Sequence, residues 1–172
     1  GVRAAFLNST LDADEATRAQ YLTSAGILLE DRLKLLPEAA ACFRAAFQLE
    51  RRDPLLLAAI KRIAQREGTV DEELAALAAE AEGQGALAAP TYLQISKAYE
   101  RLDRPEDALA ALVAARRVAP GDPLVLAELA RIYESQARHE ELGVALTAWV
   151  QAIPDPNDQL ALQLRVAQLF EE

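Results

Sequence analysis

Residues 89–122 read APTYLQISKAYERLDRPEDALAALVAARRVAPGD. Ile95, Ser96 and Tyr99 fall at helical spacing in the first half, as do Ala108, Leu109, Leu112 and Ala115 in the second. Asp103-Arg104-Pro105 breaks the pattern between them, and Pro120-Gly121-Asp122-Pro123 ends it. The stretch predicts two helices and a short turn, hence an antiparallel hairpin.

The core phrase of this hairpin recurs. ISKAYE (95–100) is echoed by LARIYE (129–134) and more loosely by IKRIAQ (60–65). Its small-residue position aligns as Gly26, Lys61, Ser96, Ala130 and Ala167, in steps of 35, 35, 34 and 37. A fixed period near 34 residues with two helices each predicts a stacked helical solenoid. One hairpin cannot bury its apolar face alone, so successive neighbours must cover it. No stretch sustains a two-residue alternation, so no strands are expected.

The chain has 172 residues and a formal net charge of −9, with 52% hydrophobic residues, enough to fill a core. The acidic balance argues against a nucleic-acid binder, whose affinity comes from neutralising phosphates, and against an anionic membrane surface. No apolar run approaches the roughly 18 residues of a membrane span. The absence of methionine and the start at Gly1 fit a piece of a longer chain. No signal peptide is visible. The cytoplasm is the favoured compartment, and a signal lost from such a piece leaves this open. Cys42 is alone and reads as an inert, buried thiol.

On these residues the chain resembles the tetratricopeptide repeat family, in the form of a bacterial-type helical repeat array. Tyr92, Ile95, Ser96, Tyr99, Ala108, Leu112, Ala115 and Pro120 stand at the family's positions, as do Leu126, Leu129, Ala130, Tyr133, Leu142, Leu146 and Pro154. Trp149 departs from the pattern at a small-residue position and is expected to pack. In residues 54–88, Lys61 replaces the small residue and Ala64 the aromatic, which puts close helix packing there in doubt. Ala39, Phe43 and Ala46 fit the second helix of the first repeat, after a one-residue insertion.

The resemblance implies an all-α fold, a right-handed superhelical solenoid of antiparallel helix pairs with about four full repeats and a partial one at the C-terminus. The expected division is 13–53, 54–88, 89–122 and 123–156. Residues 157–172 form the first helix of a further repeat or a cap, the former favoured. Residues 1–12 are the tail of a preceding repeat or an extension, because RAAF at 3–6 returns at 44–47 inside a second helix.

No metalloprotease, phosphate-loop or nucleophile-elbow motif occurs, and His139, the only histidine, reads as a solvated turn residue. Neither enzymatic activity nor a cofactor or metal is expected. The resemblance instead implies a groove lined by first helices, into which the residue after the small position points. That column reads Ile27, Arg62, Lys97, Arg131 and Gln168; Arg66 and Arg101 follow one turn on, flanked by Leu55, Leu93 and Leu124. The candidate partner-binding groove is therefore Leu55, Arg62, Arg66, Leu93, Lys97, Arg101, Leu124 and Arg131. Its expected occupant is a segment of another protein, an acidic segment being one candidate. Homo-oligomerisation by end-to-end stacking is the alternative. The competing bland reading is a ladder. Glu30, Gln65, Glu100, Glu134 and Glu171 stand three places on, and Lys97–Glu100 and Arg131–Glu134 are i,i+3 neighbours that neutralise the strip.

Overall fold

A computed structural model describes residues 14–50 and 53–171, with side chains through Gln168. Its elements are α1 (Glu15–Leu28), α2 (Leu36–Leu49), α3 (Pro54–Glu67), α4 (Val70–Gln84), α5 (Ala89–Arg101), α6 (Pro105–Val118), α7 (Pro123–Ser135), α8 (His139–Ala152) and α9 (Pro156–Glu171). Among the described residues there is no strand. The expectation that residues 1–12 are the tail of a preceding repeat or an extension lies outside the described residues.

Three first helices begin at an Asp-Pro pair. Asp53 accepts from the Leu55 amide, Asp122 from that of Leu124 and Asp155 from that of Asn157, each at 2.8 Å. The carboxylate satisfies an orphan donor, and proline at the first helical position gives up an amide that would have no partner. Asp14 caps α1 through the Thr17 amide without a proline. Asp103, a cap candidate by sequence, is instead left-handed at φ 54°, and Asp71 lies inside the first turn of α4.

The hairpin turns share one backbone device. Lys34, Gly68, Asp103 and Ala137 each have positive φ, spaced 34, 35 and 34 residues apart. The next amide after Gly68, Asp103 and Ala137 reaches back to the carbonyl of Ala64, Tyr99 and Tyr133 respectively. This five-residue closure satisfies a carbonyl that the helix end leaves open.

The chain divides into two compact units between Gly83 and Gln84. In the first, Ala39, Phe43, Ala46, Leu56, Ile60 and Ile63 form the buried centre. Gly26 of α1 meets α2 so closely that a β-carbon there would stand 2.7 Å from the Phe43 ring. A π-turn over Leu29–Leu33 follows α1. Its wider winding takes up the extra residue that the first repeat carries. In the second unit, Ala108, Leu112, Leu129, Ala130, Leu142 and Leu146 make the core, with Trp149 packed against its edge as expected.

Candidate functional site

The first unit holds a compact ionic cluster. The π-turn carries Glu30 into a buried position, where its side chain keeps only 8% exposure. Arg62 Nε donates to Glu30 Oε1 at 3.0 Å and Arg62 Nη2 to Oε2 at 2.6 Å, a bidentate pair. Arg66 Nη1 adds a third bond at 3.3 Å. The Arg62 hydrogen bonds hold the Glu30 carboxyl below the ordinary carboxylate range, against the opposing effect of burial. The same bonds raise the Arg62 guanidinium. Two cations share one carboxylate, so a positive charge remains on half-exposed guanidinium groups. Leu55, 77% exposed, stands two turns earlier on the same stripe of α3.

In the second unit the balance is reversed. Arg131 donates to Glu100 of the preceding first helix and, at 2.8 Å, to Glu128 of its own. Both bonds raise its affinity for the proton, Glu100 first. Arg165 of α9 then pairs with Glu134. The basic–acidic ladder therefore runs between repeats. The i,i+3 pairs expected within helices, Lys97–Glu100 and Arg131–Glu134, are replaced by these longer links. A guanidinium on its long stem spans the gap between neighbouring first helices, here through one nitrogen in each link. Lys97 is exposed and makes no ion pair among the described residues.

The structure puts Leu55, Arg62 and Arg66 on α3, Leu93, Lys97 and Arg101 on α5, and Leu124 and Arg131 on α7. All are exposed except Leu93, which is half-buried and packs against the second core. The column ends differently from the expectation. Asp155-Pro156 repeats Asp122-Pro123, and Leu162 and Val166 face the core. Counting from those prolines places Leu164, not Gln168, at the Arg131 position. Leu160 and Leu164 are both more than half exposed. The burial of Glu30 was not foreseen; its signal was the inserted residue between Gly26 and Ala39. Cys42 is half-buried, not buried. His139 is exposed at the first residue of α8.

Two aromatic positions acquire a cationic lid. The Arg104 guanidinium lies 4.9 Å from the Tyr99 ring centre, and that of Arg138 5.2 Å from Tyr133. Each arginine follows the left-handed turn residue, so this contact repeats with the turn. Among the described residues no group of three or more His, Cys, Asp or Glu side chains is placed to hold a metal ion. No helix there is long and apolar enough to cross a membrane.

Residues 89–132 match the tetratricopeptide repeat family model. No curated protein matches the sequence. Among solved structures, the chain is similar to YrrB, described as a TPR protein with an unusual peptide-binding site. That match has 15% identity and a TM-score of 0.56, over 97% of this chain and 84% of that one. It is similar to pilF of Pseudomonas aeruginosa at 15% identity and a TM-score of 0.55, over 92% and 71%. MamA matches at 16% identity and a TM-score of 0.54, over 94% and 86%. Repeats of this kind generally act as non-catalytic scaffolds that bind proteins or peptides. With its recurring hairpins and shared turn, the chain is an all-α helical repeat array with the fold of these tetratricopeptide repeat proteins, and residues 89–132 carry the match to the family model.

Proposed function

We propose that this chain is a protein-interaction scaffold that holds a segment of a partner protein along the exposed face of its first helices. The observation that carries the reading is the surplus of positive charge at Arg62 and Arg66. Their guanidinium groups are fixed by a buried carboxylate, left half-exposed and set on one stripe with exposed Leu55. Fixing a guanidinium in advance lowers the ordering cost that binding would otherwise incur. Such a stripe suits an extended or helical segment bearing carboxylates and an apolar anchor. Lys97 and Leu124 add an unpaired cation and an exposed anchor in the second unit. Arg131 is doubly engaged by carboxylates and serves first as a link between repeats.

The test is affinity capture from the native lysate. Wild type is compared with Arg66→Glu combined with Lys97→Glu, which spares Arg62 and Arg131 as structural links. Both chains are first matched in helicity and melting temperature. Selective loss of a retained protein, with weakening by salt, supports the reading. Identical retained proteins overturn it and turn the search to the second helices and the ends.

Self-association is a second reading, favoured by Leu160 and Leu164, exposed one turn apart on α9. Sedimentation over a concentration series tests it. A mass that grows with concentration, and stays monomeric in Leu160→Glu with Leu164→Glu, supports stacking; a monomer throughout rejects it.

A further inference from the structure

α1 is apolar on two sides. Ala19 and Gly26 are buried, Gly26 against the Phe43 ring of α2. Two residues on from each, and hence about 200° round the helix, stand Tyr21 and Leu28, 44% and 58% exposed. A single exposed leucine needs no explanation, but the repeat makes this pair unusual. The same positions in α3, 35 residues on, are Leu56 and Ile63, 1% and 0% exposed. In α7, 104 residues on, they are Val125 and Ile132, 0% and 3% exposed.

Each buried pair is covered by the second helix of the preceding hairpin. Leu56 and Ile63 share a core with Ala39, Phe43 and Ala46 of α2, and Val125 and Ile132 share one with Leu112 and Ala115 of α6. The Tyr21–Leu28 face of α1 is built for the same kind of cover, a helix that presents small and bulky apolar side chains.

The chain carries such a segment ahead of α1. Val2, Ala5 and Phe6 have the i, i+3, i+4 spacing of one helix face. Arg3-Ala4-Ala5-Phe6 repeats Arg44-Ala45-Ala46-Phe47 residue for residue. The matching face of α2 is Phe43, Ala46 and Phe47; the first two are 2% and 0% exposed, and Phe47 packs against the same core. Seven residues, 7–13, join Phe6 to the Asp14 cap, where five, 48–52, suffice between Phe47 and the Asp53 cap. The link is long enough for the chain to reverse.

We propose that residues 2–7 dock on the Tyr21–Leu28 face of α1 as a helical turn antiparallel to it. Val2, Ala5 and Phe6 then take the places that Phe43, Ala46 and Phe47 take against α3. This contact is separate from the first-helix face of the scaffold reading, so either can fail without the other.

The experiment uses the whole chain labelled with 13C and 15N. Nuclear Overhauser contacts of the Phe6 ring with the Tyr21 ring or the Leu28 methyl groups are expected. The Ala5 and Phe6 amides should exchange with solvent roughly tenfold or more slowly than in a free peptide of residues 1–13. Leu28→Asp, at an exposed position, should remove most of that protection while leaving the α3 amides unchanged. If that variant unfolds, Ala5→Asp tests the same contact from the segment's side. Amides that exchange as in the free peptide overturn the proposal, as does protection that survives the substitutions. Contacts found only between labelled and unlabelled copies in a mixed sample would assign the face to a second copy and overturn it as well.

Discussion

The second hairpin, α3 and α4, and the fourth, α7 and α8, close in different ways. In the fourth, Ala130 is 1% exposed and lets its helix settle against Leu142, Ala145 and Leu146. In the second, Lys61 holds the corresponding position and reaches Glu80 Oε2 at 2.9 Å, while Gln65 donates to Glu73 at 2.7 Å. The backbones of α3 and α4 do not approach as closely as those of α7 and α8. Yet both hairpins turn through a left-handed residue and the same five-residue closure. Turn geometry keeps the period when the packing residue is lost. Polar side chains then bridge a wider gap.

Transplanting the second hairpin's residue into the fourth gives the largest effect. Ala130→Lys would bury a cation with no carboxylate set to meet it, a loss of about 3–5 kcal/mol. Urea unfolding followed by far-ultraviolet circular dichroism measures it, and a loss below about 1 kcal/mol would show that the tight hairpin can open as the second does. Gly26→Val tests the first hairpin in the same way. Its β-carbon meets the Phe43 ring at 2.7 Å, so overpacking costs about 1–3 kcal/mol. A midpoint equal to that of wild type would mean that the ring moves freely aside.

Glu30→Gln removes the bidentate partner of Arg62 and costs about 1 kcal/mol once solvent screening of the half-exposed arginines is allowed for. The pH dependence has a definite sign. The folded-state carboxyl titrates below its unfolded value, so its contribution is complete above about pH 4.3 and falls away as pH drops through the depressed value. Melting temperatures of wild type and Glu30→Gln should therefore converge as the solution is acidified. Parallel curves would place the carboxylate outside the folding balance.

Two smaller effects sharpen the contrast. Ala137 occupies a left-handed turn without glycine, so Ala137→Gly should raise stability by about 1 kcal/mol, less the added freedom of the unfolded chain. A decrease would mean that the turn conformation is relaxed in solution. Lys61→Met combined with Glu80→Leu should leave stability within about 1 kcal/mol of wild type, because an apolar pair can replace a partly buried ion pair. A larger loss would make the polar bridge a requirement of the second hairpin and not a substitute for packing.

The periodic phrase, the prolines that open helices and the small residues at Ser96 and Ala130 were all readable along the chain. Each acts through local backbone geometry or through a neighbour at fixed spacing. The doubt over Lys61 was readable too, since a long cation cannot sit where two helices touch. In α9 two local signals differ by one helical turn: VAQLFEE repeats the phrase, while Asp155-Pro156 repeats the helix start of Asp122-Pro123.

The sequence by itself determined the helical class, the two-helix period and the order of hairpins, because spacing, capping and turn chemistry act over a few residues. Only the tertiary structure decided which charges are spent and which remain. A π-turn rotates Glu30 inward to meet two arginines from the next repeat, whereas Arg131 meets two carboxylates and Lys97 meets none. The links of Glu30 to its two arginines and of Glu100 to Arg131 depend on distances between side chains about 31 residues or more apart in the chain, which no local pattern encodes; only Glu128–Arg131 is local.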